Sequence, residues 1–474
     1  MPIWFTPQGK NFCLALWVAA VENIFEPRGG RSSYLECVDF HLPMTEEKAE
    51  ALNLRGEAIA GVTTFFTMAY IVVVNPAILS TEGTGLSFSG VLTATVAVCF
   101  VMTLLMGLYA RLPFAVAPGM GINAFFTYTI ILGRGVPWPA ALGIIFWAGV
   151  AFLIISLTPV RVTIARAIPA SLRIATAAGI GIFLTFIGLK NAGIVVADPV
   201  TFVKLGMLDR TVLMMIAGTA LSVWLLHRKS PFAYLAGIFF VTLAAWGLGL
   251  IRAPERILSA PDFTSVFLKL DIQGALKLSL LPAIISILFT DLFDSISTFI
   301  GVSHAAGMLD EDDYPRNLRE GLIVDSWATL GAGLAGTSSG TAYIESVAGI
   351  EMGGRTGWTA VFTALCFLPC FFLAPLAGVV PAYATAPVLL LVGASMFRSV
   401  GQLSFARMEE ALPTFLTIIL IPLTFSITQG ILWGFVSHTS LYILAGRRRE
   451  IHPMMYALAL LSVALLLLEH GKFN

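Results

Sequence analysis

From Ala58 to Leu468 the chain returns repeatedly to apolar runs of roughly 16–24 residues, separated by short stretches bearing charge, Gly or Pro. Coiled as a helix, one such run spans the ~30 Å hydrocarbon core of a bilayer. Only 12% of the 474 residues are charged, against about 25% in a soluble domain, so water cannot solvate the folded surface. The chain therefore reads as a polytopic, all-helical membrane protein whose main partner is the lipid bilayer.

The runs fall near 58–79, 89–110, 116–131, 138–158, 171–195, 211–226 and 231–250, and then near 278–301, 318–335, 338–350, 357–379, 383–398, 411–426 and 427–445. These make two sets of seven, residues 52–250 and 278–445. Residues 446–474 form a tail with one additional apolar run, 453–468, whose crossing of the membrane is left open. Residues 1–51 are expected to be an extension, either disordered or read from a start upstream of the native one. Its apolar stretch Phe12–Val21 is too short to span, and the single Lys10 makes a weak signal-peptide start.

Lys and Arg near segment ends favour the cytoplasmic side. With the first segment entering from the cytoplasm, sixteen basic residues, including Arg55, Arg228 and Arg447 to Arg449, lie inside and eight, including Arg134 and Lys277, lie outside. The expected arrangement is a multi-pass protein of the plasma or inner membrane with a cytoplasmic N-terminus. The loop at Gly85 faces outside, and those at Arg228 and Asp312 face the cytoplasm. The acidic run Asp310–Asp313 reads as a solvated part of the latter.

The 28 basic residues cancel the 28 acidic ones, which gives no electrostatic case for nucleic acid. The cysteines Cys13, Cys37, Cys99, Cys366 and Cys370 lack metal-site spacing and read as small core residues. No HExxH, phosphate-loop or Ser-His-Asp arrangement occurs, so no metal, cofactor or catalytic activity is expected.

Two segments differ from ordinary spanning helices. The third carries Ala117-Pro118-Gly119-Met120-Gly121 ahead of Asn123, and the tenth carries Gly336 to Glu345, with Gly340 and Thr341 at its weakest point. Both hold third place in their set of seven. Broken segments at matching positions of two halves are the mark of an inverted-repeat transporter with its site between the repeats.

Ionisable side chains at that depth are the most informative residues, since each costs about 2.5–3.5 kcal/mol at a helix centre on insertion scales. Asp291 and Asp294, at i,i+3 in a segment without Lys or Arg, share one helix face that Ser295 and Thr298 extend. The alternative is that they cap a backbone break or pair with an arginine. Glu345 follows the break in the tenth segment, where unpaired backbone N–H groups and the helix dipole favour a carboxylate. Its plainer reading is a helix-start residue. Asn123 is its neutral counterpart in the third segment, with a helix cap after Gly121 as the alternative. Asp325 is ambiguous, between a functional acid and a structural one near the cytoplasmic end within reach of Arg319, and the structural reading is favoured.

The stretches Gly61 to Pro76, Ala117 to Phe126, Gly340 to Gly349 and Gly353 to Gly357 together resemble the AzgA-like branch of the nucleobase:cation symporters, in the xanthine/uracil permease family. The resemblance runs from about residue 52 to the C-terminal region. It implies the uracil-permease fold, fourteen segments in two inverted repeats of seven divided into core and gate domains. It also implies proton-coupled uptake of hypoxanthine, guanine or adenine. Carried over residue by residue, it places Asn123, Asp291, Asp294 and Glu345 at substrate and coupling positions. The expected roles are substrate binding for Asn123, Asp291 and Glu345, and coupling or support for Asp294 and, on its own reading, Asp325. A flat, neutral purine presents adjacent donors that one buried carboxylate can accept. The rivals are an anion or other small-solute carrier of the same fold, for which Arg or Lys would be expected in the eighth segment, and a channel. A homodimer is left open.

Overall fold

A computed structural model describes residues 53–158, 167–306, 308 and 317–470. The expectations for residues 1–51, for Asp310–Asp313 and for the loop at Asp312 fall outside these residues.

Among the described residues, seven helices are long and apolar enough to cross a membrane, and four shorter apolar helices accompany them. The first crossing is interrupted: α1 (Leu54–Met68) gives way at Ala69–Tyr70 to α2 (Ile71–Leu79). Thr67 donates back to the Thr64 carbonyl at 2.7 Å, and Pro76 inside α2 has no N–H to give, so both helices are weak where they meet. Then follow α3 (Phe88–Leu108), the extended β1 (Val116–Pro118) and α4 (Met120–Ala124), which widens into a π-helix to Gly133. Next are α5 (Trp138–Leu157) and α6 (Ala170–Asn191). A hairpin, β2 (Val195–Asp198) with β3 (Phe202–Leu205), leads to α7 (Arg210–His227) and α8 (Ala233–Gly247).

A long loop reaches α9 (Leu281–Ala306), α10 (Leu318–Ala335), β4 (Gly340–Ala342) and the short α11 (Ser346–Glu351). The remainder is helical: α12 (Gly357–Phe367), α13 (Ala374–Gly378), α14 (Ala382–Phe397), α15 (Met408–Thr424), α16 (Ile427–Leu444) and α17 (Pro453–His470). The additional run is thus a helix laid against α16, with Met455, Leu458 and Leu465 buried and Leu460 turned outward.

The fold is not purely helical at the two breaks. β1 and β4 pair antiparallel, with Val116 opposite Ala342, Ala117 opposite Thr341 and Pro118 opposite Gly340. Unpaired backbone in hydrocarbon is prohibitively costly, and irregular chain at that depth must be buried in protein. Here every residue of both strands is buried. Thr103 of α3 both donates to the Val116 carbonyl at 3.1 Å and accepts from its N–H at 2.9 Å, and Ser346 accepts from the Ala115 N–H at 3.0 Å. Gly336 makes the approach to β4 possible. It ends α10 at φ 100°, where a Cβ would stand 2.5 Å from Val266.

Packing sorts the helices into two groups. α6, α7, α8, α14, α15 and α16 pack mainly on one another, while α1, α3, α5 and α9 to α12 pack among themselves with both strands.

Candidate substrate site at the paired breaks

The two strands deliver two helix starts to one place. Gly119 precedes α4 and Glu345 precedes α11, and neither helix start is capped by its own side chain. Gly121, in the first turn of α4, faces α6, where a Cβ would stand 2.4 Å from the Ile180 side chain. Glycine is therefore the residue that lets the break approach the second helix group. Asn123 is fully buried within α4, so it is not the cap of that helix. Its amide oxygen accepts from Ser338 Oγ, which ties the third segment directly to the tenth.

Glu345 occupies the N-cap position without capping. Its Oε1 instead accepts from the Tyr70 hydroxyl at 2.7 Å, and its backbone carbonyl lies 3.4 Å from Thr67 Oγ1. Tyr70 stands at the interruption between α1 and α2, so the break in the first crossing aims a phenol at the acid. The ring of Tyr234, from α8, lies 5.2 Å from the Tyr70 ring at 53°. Glu345 is also an electrostatic neighbour of Tyr234, Tyr343 and Asp294. Glu345 and Asp294 are both half-buried.

Behind them lies a closed polar network. Asp291 on α9 and Asp325 on α10 are fully buried. Asp291 accepts from Thr329, whose hydroxyl oxygen also lies 3.1 Å from the Gly340 carbonyl. Asp325 accepts from Ser295, whose oxygen lies 3.3 Å from Thr341 Oγ1. Asp291 feels Asp325 more strongly than Asp294. Asp291 thus turns toward α10, where it meets Thr329, while Asp294 is an electrostatic neighbour of Asp291, Asp325 and Glu345. Arg319 does not neutralise Asp325. Among the described residues no Lys or Arg pairs with any of these four acids.

Several residues of this region were not singled out in the sequence. Asn75 of α2 donates to Thr95 at 2.6 Å and Thr337 at 2.8 Å, fastening the chain just before β4. Tyr343 donates to the Pro118 carbonyl at 2.5 Å across the ribbon. Buried Glu57 accepts from the N–H groups of Arg355 and Thr356 at 3.2 Å and from the Thr359 hydroxyl, so it fastens the turn that leads into α12, whose cap is Thr356. The signal for Tyr70 was its place in a Thr-rich interruption. That for Glu57 was an acid near a helix start, with nothing local to name its partner.

An apolar cavity of about 790 Å³ runs beside α1 and α8, lined by Phe65, Val73, Phe232, Trp246 and Cys370 among others. Its one hydroxyl, Thr242, already donates to the Ile238 carbonyl at 2.7 Å. Its lining is almost wholly apolar, and it holds none of the buried acids.

Paired breaks, buried and backed by unneutralised acids, within two packed helix groups define a polytopic membrane transporter. Residues 55–432 match the model of the permease family named for xanthine and uracil permeases. The chain belongs to the xanthine/uracil permease family, in its AzgA-like branch. It is 41% identical over 410 residues to the adenine permease AdeP of Escherichia coli, covering 86% of this chain and 92% of that one. It is 39% identical over 437 residues to the guanine/hypoxanthine permease PbuO of Bacillus subtilis, covering 89% and 98%. In fold it is similar to the transmembrane domain of the cyanobacterial bicarbonate transporter BicA, with a TM-score of 0.61 at 18% identity, covering 81% of this chain and 97% of that domain.

Proposed function

We propose that the protein imports purine nucleobases, adenine, guanine or hypoxanthine, by proton-coupled symport across the plasma or inner membrane, with its N-terminus in the cytoplasm. The observation that carries this reading is Glu345, a half-buried acid at the start of a broken helix, held by Tyr70 and without a basic partner. The names of the relatives support the substrate class.

In this reading the halves 52–250 and 278–445 are inverted repeats, residues 446–474 are a tail, and the group holding both strands is the core that moves against the other, the gate. Glu345 and Asp294 face the substrate, with Asn123 fixing the third segment beside them. A carboxylate accepts two bonds from adjacent purine donors, and a neutral base avoids the cost of bringing an anion to an acidic site. Asp291 and Asp325 form the coupling pair. Asp291 Oδ1 is buried and accepts from nothing, so a proton on the pair removes a like-charge contact and supplies a donor there. This exchanges the roles expected above, which set Asp291 in substrate contact and Asp294 in coupling or support.

Uptake of radiolabelled adenine, guanine, hypoxanthine, xanthine and uracil into a purine-uptake-deficient host, with and without a protonophore, tests class, substrate and coupling together. Saturable purine uptake that collapses with the protonophore is the expected result. Uptake of anions alone, or unsaturable flux, would replace it with the carrier or channel reading.

A further inference from the structure

In the purine reading the acids take the edge of a flat solute, and its two faces are left without a partner. A planar heterocycle leaving water must bury two π-faces, and aromatic side chains recover that loss sequence-tolerantly. The aromatic rings near Glu345 differ in freedom. Tyr70 is fully buried and its hydroxyl is committed to Glu345. Tyr343 is buried and its hydroxyl is committed to the Pro118 carbonyl. Tyr234 is half-buried, and its hydroxyl makes no hydrogen bond among the described residues.

Tyr234 also differs in where it comes from. It sits on α8, whose packing belongs to the helix group that lacks the strands and the acids. Two aromatic pairs bridge the end of the first helix and the start of α8, Phe66 with Phe232 at 4.6 Å and Tyr70 with Tyr234 at 5.2 Å. Of Phe232 and Tyr234, Phe232, just before α8, lines the apolar cavity, while Tyr234 packs on the tyrosine that holds Glu345 and is an electrostatic neighbour of that acid. One uncommitted phenol therefore stands near the acid from the opposite helix group.

We infer that Tyr234 is a specificity-determining residue, the aromatic platform on which a flat, hydrogen-bonding heterocycle rests while Glu345 reads its edge. The inference rests on the purine reading above and deepens it. A substrate bridging Tyr234 and Glu345 touches both helix groups at once, so a flat solute closes the site and a non-planar one of equal polarity does not.

The test measures equilibrium binding of radiolabelled guanine and adenine to the purified full-length protein, for wild type, Tyr234→Phe, Tyr234→Trp and Tyr234→Leu. Loss of a base-stacking ring weakens binding by about 5- to 150-fold, so Tyr234→Leu is expected to lose at least about tenfold in affinity. Tyr234→Phe and Tyr234→Trp, which keep a π-face, are expected to stay within about threefold of wild type. If Tyr234→Leu is unstable, Tyr234→Cys in a background without other cysteines serves instead, and purine is expected to slow its reaction with a thiol reagent. Wild-type affinity in Tyr234→Leu, equal losses in the Phe and Leu variants, or absence of purine protection at Tyr234→Cys would overturn the assignment. Failure of the wild type to bind any purine would overturn the underlying reading instead, and the two failures are thereby distinguished.

Discussion

The two broken segments are alike in backbone and unlike in side chain. Each runs from a buried three-residue strand into a helix start with no side-chain cap, and the strands satisfy one another across the ribbon. Yet the third segment contributes Pro118, Gly119, Gly121 and the neutral Asn123, and its helix continues to Gly133. The tenth contributes Ser338, Ser339, Thr341 and Glu345, and its helix ends at Glu351. The third segment supplies shape, and the tenth supplies charge. The two fully buried acids also lean on the tenth: Thr329 joins Asp291 to Gly340, and Ser295 joins Asp325 to the neighbourhood of Thr341.

The largest effect should come from neutralising acids that lean on β4. Asp291→Asn or Asp325→Asn is expected to abolish accumulation of purine against its gradient while exchange of internal for external purine persists. Exchange moves the loaded site without requiring proton release. Steady-state accumulation ratios in proteoliposomes with an imposed pH gradient check this. Undiminished concentrative uptake in both variants would place the coupling proton elsewhere.

A steric change in the third segment should act next. Gly121→Ala puts a Cβ 2.4 Å from the Ile180 side chain, and overpacking of this kind costs about 1–3 kcal/mol. Thermal unfolding in detergent should show the loss, and purine affinity should fall with it because the break is pushed away from the second helix group. A third-segment variant that changed substrate preference without loss of stability would contradict the division of labour.

The tie between the segments is the third lever. Ser338→Ala leaves the buried Asn123 oxygen without its donor, at about 1–3 kcal/mol, and Asn123→Ala does the converse. A double-mutant cycle read by thermal unfolding should give a coupling of about 0.5–3 kcal/mol. Strict additivity would mean that the two breaks are not joined there.

The smallest effect serves as a control on pH. Asp262, in the long loop before α9, is held below the ordinary carboxylate range first by the Ser265 hydroxyl and also by Ser89 of α3, against the opposing effect of partial burial. A carboxyl with a lowered folded value contributes stability that is present above its unfolded value of about 3.9 and lost as pH falls through the folded one. The loop's attachment to α3 should therefore hold constant from pH 5 to 8 and weaken only below about 4. Purine transport that varies between pH 5 and 8 in both wild type and Asp262→Asn then belongs to the membrane acids.

What the sequence makes legible follows from how local each cause is. The segment read at 318–335 matches α10, because Arg319 and Glu320 mark one end and Gly336 the other. The breaks are visible for the same reason, as Gly, Pro and hydroxyl residues weaken a helix where they stand. Their pairing is not visible, since Val116 and Ala342 meet across more than two hundred residues, and Val-Ala-Pro in an apolar run reads as helix. Helical spacing sets Asp291 and Asp294 on one face, but it cannot say that α10 brings Asp325 to the first and leaves Glu345 to the second. Nor can it say that Tyr70 reaches Glu345 from 275 positions away, or that Glu57 holds the turn at Arg355, 298 positions on.

The central claim is that the charge of the tenth segment reads the purine. Glu345→Gln keeps the size of the side chain and its place beside Tyr70, but replaces charge-assisted acceptance with a neutral amide. A hydrogen bond to a charged group is worth about 1.5–3 kcal/mol, so affinity should fall by about tenfold or more. The direct measurement is equilibrium binding of radiolabelled guanine and adenine to the purified wild type and Glu345→Gln, with thermal unfolding recorded on the same preparations. The account predicts lost or severely weakened purine binding at unchanged stability; unchanged affinity in the variant would contradict it.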